Sequence, residues 1–165
     1  MTVDIRPFAR LVALNTDLLL NATDGLTDED AARRLQPHLN SVAFLVAHLT
    51  DMRHYLAVLA GQPRDNPLTP LLQHAKSNDD IAEWPPFGTL RGYWSTAGAH
   101  LAAMLPALGD EQLAARLERP LPGGDPTLLG GIAFAVQHES YHLGQIAQLR
   151  RMLGHPPMSY RRRAT

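Results

Sequence analysis

The sequence predicts an all-α fold, a four-helix bundle with long connections and short extra helices. Three observations carry this. Apolar residues recur at three- and four-residue spacing, with no alternating segment that would make a strand. Capping residues, glycines and prolines bracket four long stretches of that period. The chain has 165 residues, 45% of them hydrophobic, enough to bury a core without disulfides or a structural metal. A single domain over residues 1–165 is expected.

The first helix should run from Asp4 to Ala22, with Phe8, Leu11, Val12, Leu18 and Leu19 on one stripe that Asn15 interrupts. Thr27, with Asp30 three residues on, makes a good helix start, and a short helix to Leu35 should stop before Pro37. Asn40 or Ser41 caps the second long helix, which should end near Ala60 because Gly61 and Pro63 follow. Residues 62–86 contain Pro63, Pro67, Pro70, Pro85 and Pro86, so they read as a long connection with one helical turn at Leu71–Lys76. The third long helix is expected over Gly88–Leu105, with Leu90, Trp94, Ala97, Leu101 and Met104 inward. A short acidic-capped turn from Asp110 to Leu117 and a loop from Pro120 to Pro126 lead to the fourth. That helix should span Thr127–Leu153 and end at Gly154 and Pro156. The basic tail Arg161-Arg162-Arg163 reads as solvated.

Composition removes several function classes. Fifteen Lys+Arg balance sixteen Asp+Glu for a formal charge of −1, so no basic field argues for nucleic acid or a membrane surface as partner. There is no cysteine, which excludes disulfides, thiolate ligands and a cysteine nucleophile. No run approaches the roughly 18 apolar residues of a membrane span. The start, Met-Thr-Val-Asp-Ile-Arg-Pro, lacks a basic flank followed by an apolar core, so a cytoplasmic location is expected. What remains distinctive is eight histidines.

A helix turns about 100° per residue, so the histidines can be sorted by face. On the fourth long helix, Phe134, Ala135, Tyr141, His142, Gln145, Ile146 and Leu149 share the side of His138, placing His138 and His142 at i and i+4 on the core-facing stripe. Ser140, Gln148, Arg150 and Arg151 fall on the flanks or behind. On the second long helix, Ser41, Phe44, Leu45, Asp51, Met52, Tyr55, Leu56 and Leu59 lie with His48, whereas His54 falls behind, near Thr50 and Arg53. His48, His138 and His142 can therefore meet at one point if the two helices are neighbours. The other five read otherwise: His38 and His74 in loops, His54 outward, His100 at a stripe edge, His155 beyond a helix end.

Three inward imidazoles leave polar nitrogens in need of partners, and charging them in a core is worse. A divalent metal resolves this by taking one nitrogen from each neutral ring. Three protein ligands with open positions describe a catalytic site rather than a closed structural one. Imidazole suits zinc, nickel or iron, and the sequence does not choose among them. Asp51, Tyr55, Tyr141 and Gln145 share the inward faces and are candidates for supporting the ligands or contacting substrate. The competing readings are core packing of the tyrosines, a bundle that keeps metal without turnover, and one that buries the histidines without metal.

Residues 138–142, His-Glu-Ser-Tyr-His, match the zinc-protease pattern His-Glu-x-x-His. Such proteases need a further ligand downstream. After His142 the sequence holds no Asp or Glu, and its one later histidine is His155 beyond Gly154. Gln145 occupies the place where the longer pattern wants glycine. Glu139 is expected at a helix–helix or subunit seam rather than poised as a base.

An inward histidine in Asn40-Ser41-Val42-Ala43-Phe44-Leu45-Val46-Ala47-His48-Leu49, followed by His138-Glu139-Ser140-Tyr141-His142-Leu143-Gly144-Gln145-Ile146, resembles the DinB-like superfamily of metal-binding four-helix bundles. The resemblance continues to Leu149-Arg150-Arg151 and Gly154, and covers nearly the whole chain. It implies a metal triad of His48, His138 and His142 and a homodimer. It also implies relatives that use low-molecular-weight thiols, such as bacillithiol transferases and the mycothiol-dependent maleylpyruvate isomerase. A thiol-dependent transferase or isomerase acting on a small-molecule substrate is therefore expected. With no cysteine in the chain, the thiol must arrive as cosubstrate.

Overall fold

The computed structural model describes residues 4–75 and 77–160. Its four long helices are α1 (Arg6–Ala22), α3 (Val42–Leu59), α5 (Phe87–Met104) and α7 (Leu128–Met152), with short α2 (Asp28–Ala32), α4 (Thr69–Leu72) and α6 (Asp110–Ala114) between them. Among the described residues the β-structure is a single isolated antiparallel bridge, Arg116 to Thr127.

Local chemistry sets the boundaries. Thr27 and Asp30 form a reciprocal capping box, each side chain accepting from the other's backbone N–H at 3.1 Å. Ser41 caps α3 by accepting from the Phe44 N–H at 3.2 Å, and donates its own hydroxyl to Asn78 Oδ1 at 2.6 Å. That buried pair ties the start of α3 to the long connection. Gly61 and Gly154 take φ of +74° and +91° just past α3 and α7, the left-handed backbone that lets a helix stop without a Cβ clash.

Pairwise contacts fix the topology. Asn15 reaches Glu139 and Arg150 reaches the Ala22 and Asp24 carbonyls, so α1 and α7 run parallel. Val42 and Leu45 share a core cluster with Phe87 and Leu90, while Leu56 and Ala57 share another with Leu101 and Met104. Hence α3 and α5 are parallel too, and antiparallel to the other pair. Two parallel neighbours in sequence order need a connection that runs back the length of the bundle. The proline-rich residues 60–86 supply it.

The core is divided. One apolar cluster holds Leu19, Val46, Leu49, Leu90, Leu143 and Ile146, the other Val12, Leu56, Leu101, Met104, Ile132 and Ala135. Between them lies a polar layer drawn from all four long helices. Arg53 donates to Glu139 through Nε at 2.6 Å and Nη2 at 3.0 Å, and to Thr16 Oγ1 at 2.8 Å. Asn15 Nδ2 donates to Glu139 Oε2 at 3.0 Å. The guanidinium lies 3.3 Å from the Trp94 ring centroid, a stacked cation–π contact.

Several expectations change. Leu11, placed inward, is exposed, because the buried edge of α1 follows Val12, Asn15, Leu18, Leu19 and Ala22. The short second helix stops at Ala32 rather than Leu35, since Arg33 is extended (ψ 128°) and Arg34 instead donates to the Leu39 carbonyl and pairs with Asp79. The helical turn in the long connection starts earlier, at Thr69, with Pro70 in its first turn where a missing N–H costs nothing. Lys76 and the three-arginine tail lie outside the described residues.

Candidate metal centre

His48 on α3 and His138 and His142 on α7 converge. His48 Nε2 is 3.2 Å and His142 Nε2 3.1 Å from His138 Nε2, and the three donor atoms all lie within 4.8 Å of one another. They meet at the rim of the α3–α7 seam, each ring half-buried, rather than in the middle of the core stripe. The core direction on both helices lies off the centre of the leucine and aromatic stripe. On α3 the buried arc includes Thr50 and Arg53, assigned to the back, and on α7 it includes Glu139 and Arg150. Those charges can be buried because each is satisfied: Arg53 by Glu139, Arg150 by the Pro156, Ala22 and Asp24 carbonyls.

The rings are held by packing as well as by their helices. Phe44 stacks on His48 (centroids 6.2 Å, 9° between planes) and Phe134 on His138 (5.6 Å, 22°). Gln145 Oε1 lies 2.6 Å from His142 Nδ1. With that oxygen as acceptor, Nδ1 carries the proton and Nε2 presents its lone pair to the other rings. Burial, then the His142 and His48 rings, push His138 down to about 4, with Glu139 pulling weakly the other way. Burial and His142 lower His48 as well. Both rings are thus neutral at physiological pH, the form a metal needs.

This donor set fits a divalent ion. Three facing Nε2 atoms cannot all be satisfied by one another, because a neutral ring offers one proton for its two nitrogens. Two ligands at about 2.05 Å from one tetrahedral ion stand about 3.3 Å apart. The Nε2 pairs at 3.1 and 3.2 Å are close to that spacing.

The other candidates separate. Gln145 touches His142, and the Tyr141 ring sits edge-on to it at 5.1 Å between centroids. Both residues are exposed rather than inward. Asp51 lines a cavity of about 390 Å³ with His48, His142, Asn40, Phe44 and Ser77, and accepts from Asn66 Nδ2 at 2.6 Å rather than from a histidine. Tyr55 is exposed and lines neither that cavity nor the one beside Gln145. Glu139 lies at the helix–helix seam, committed to Arg53 and Asn15. That removes it as a base and closes the protease reading of His-Glu-x-x-His.

The reading by helix face missed the polar layer. Its one signal was Asn15 on an apolar stripe, which marks a buried polar partner somewhere in the bundle. A cavity of about 770 Å³ lies elsewhere, between α3 and α5 under the return loop. Its charges offset one another, with Arg64 beside Asp65 and Arg53 committed to Glu139. His54 and His100 donate to the Arg64 and Gln62 carbonyls, fastening the loop.

Comparison with known proteins gives the family and the fold. The sequence pattern of the DinB superfamily matches residues 12–146. No curated protein matches the chain in sequence. Solved structures share its fold, among them the following two. A conserved protein from Enterococcus faecalis is 17% identical with a TM-score of 0.74, covering 93% of this chain and 98% of its own. YfiT from Bacillus subtilis is 18% identical with a TM-score of 0.65, covering 92% and 89%. YfiT is described as a probable metal-dependent hydrolase with an unusual four-helix bundle topology.

Proposed function

The chain belongs to the DinB superfamily, and on that premise we propose that it is a divalent-metal-dependent enzyme of the thiol-transferase or isomerase class. Its ligands are His48, His138 and His142. The observation that carries the reading is the convergence of three Nε2 atoms beside a cavity lined by His48 and His142. A divalent ion held there by the three histidines would supply Lewis acidity, lowering the pKa of a thiol or water beside it.

The chain's own residues do the rest. Gln145 fixes the His142 tautomer, and Phe44 and Phe134 hold the other two rings in place. Asp51, anchored by Asn66, is the carboxylate lining the cavity, and we assign it to take the proton that the thiol gives up. The sulfur then forms a bond to the electrophilic carbon, and in a transfer the leaving group departs with its electron pair. The thiol is a cosubstrate because the chain has no cysteine. Zinc, nickel and iron all suit the donor set. A homodimer, as the family resemblance implies, belongs to the same proposal and is checked by light scattering.

A second reading, hydrolysis, is favoured by the description of YfiT, with water taking the thiol's place. Elemental analysis of protein purified without added metal, beside His48→Ala, tests the triad. Near-stoichiometric metal in the wild type and its loss in the variant are expected. The metal form is then screened with low-molecular-weight thiols and model electrophiles, and with ester and amide substrates. Metal-dependent thiol consumption is the expected result. Hydrolysis without thiol consumption would sink the transferase reading in favour of the second.

A further inference from the structure

Next to the Asp51 cavity lies a larger one of about 570 Å³, and Asn40 lines both. That volume is ordinary for a small-molecule site. Leu45, Leu149 and Met152 supply apolar wall, while Asn40, Gln145 and Gln148 bring three carboxamides. Among the described residues no lysine, arginine or carboxylate lines it, and His38 at its edge is the one imidazole. A charged ligand entering it would lose hydration and, beside a neutral His38, gain no permanent counter-charge, whereas an uncharged one with a few polar groups finds both donors and acceptors.

Gly144 adds an independent observation. It lies inside α7, where glycine is a poor helix former. A Cβ there would meet nothing within 4 Å, so no neighbour packed against it demands glycine. The space it leaves open belongs to this cavity. Gln145 is the link to chemistry, since its side chain lines the cavity while its Oε1 holds His142.

We propose that this cavity binds the electrophilic substrate, and that the substrate is an uncharged, largely apolar small molecule whose polar groups are read by Asn40, Gln145 and Gln148. The inference rests on the metal-enzyme reading for what happens to the ligand, but its binding does not depend on metal. Equilibrium dialysis of the full chain, with and without Co²⁺, against 4-nitrobenzamide and its anionic counterpart 4-nitrobenzoate tests it. The neutral probe should bind at least about tenfold tighter. Gly144→Phe, which fills the cavity from a helical position, should weaken the neutral probe at least about tenfold while leaving the Co²⁺ absorption spectrum in place and not lowering the melting temperature. Equal or tighter binding of 4-nitrobenzoate would overturn the proposal, as would unchanged binding by Gly144→Phe. So would a change of oligomeric state in Gly144→Phe by light scattering, which would make the cavity an interface between copies. Should Gly144→Phe not fold, Met152→Trp from the exposed side of the same cavity is judged by the same outcomes. Absence of Co²⁺ uptake by the wild type would sink the metal reading alone, because the probe comparison is also made without metal.

Discussion

Arg53 and Glu139 are joined by two hydrogen bonds, Nε to Oε1 at 2.6 Å and Nη2 to Oε2 at 3.0 Å, with neither side chain more than 3% exposed. Glu139 follows His138 in sequence, and Arg53 lies on the helix that carries His48. The pair therefore fixes α3 against α7 one layer beneath the triad, and its bidentate geometry tolerates little sliding. Asn15, Thr16 and the Val12 carbonyl absorb most of the remaining hydrogen-bonding capacity. The layer is closed polar chemistry between two apolar clusters.

Breaking that pair from one side leaves a buried charge without its partner. Glu139→Ala or Arg53→Ala should each destabilise the protein by about 3–5 kcal/mol, read as a lowered urea midpoint. The double variant Arg53→Met/Glu139→Leu removes both charges and should recover most of that loss, because well-packed apolar replacements of buried pairs are often neutral. A double variant as unstable as the singles would show that the apolar pair does not pack in the space the ions fill.

Two helical glycines should respond in opposite ways to alanine. At Gly98 an added Cβ would lie 2.7 Å from Arg53 Nη1 and from Thr16 Oγ1, and 2.9 Å from Thr16 Cγ2. Gly98→Ala therefore crowds the polar layer, and a cost of about 1–3 kcal/mol should outweigh the better helix propensity. At Gly144 the same atom meets nothing within 4 Å, so Gly144→Ala should stabilise by about 0.5–1 kcal/mol. Thermal melts of the two variants beside the wild type decide both signs.

The helix pattern and the identity of the three histidines were legible in the sequence because period and capping are local. The direction each histidine faces was less so. A wheel centred on leucines and aromatics cannot show that Thr50, Arg53 and Glu139 are buried, since their burial depends on partners on other helices. Asp51 and Gln145 both neighbour the ligands along their helices, but their contacts divide them: Gln145 holds His142, and Asp51 pairs with Asn66 from the return loop. The three-residue spacing from His142 to Gln145 was a usable signal, because i and i+3 share a helix face. Nothing local announces Asn66.

Gln145 gives a test of the ligand geometry that leaves the fold alone. Its side chain is exposed, and its hydrogen bond to His142 Nδ1 is the contact that selects the tautomer. Gln145→Ala should weaken metal binding about 10–100-fold, the range for removing a group that orients a ligand histidine. Its melting temperature without metal should stay close to that of the wild type. Competition against a chromophoric chelator measures the first, and undiminished affinity would show that helix position alone orients the ring.

The metal-free protein should lose stability on mild acidification, and the sign follows from the three depressed histidines. Burial is the largest cause of lowering for His48, His54 and His138, and His138 is held down to about 4. Each ring therefore takes up a proton more readily in the unfolded chain than in the folded one. As pH falls below the ordinary histidine value of about 6.5, the unfolded state binds more protons and stability drops. The His138 share of the loss is complete once pH passes below about 4. Carboxylates such as Asp30, held low chiefly by the Thr27 backbone N–H, add a second loss below their ordinary range. Urea midpoints in chelator should fall between about pH 7 and pH 4.5, and fall less in His54→Asn, whose side chain carries no titrating group. Midpoints that stay flat across that interval would show the rings to be as easily protonated in the folded chain as in the unfolded one.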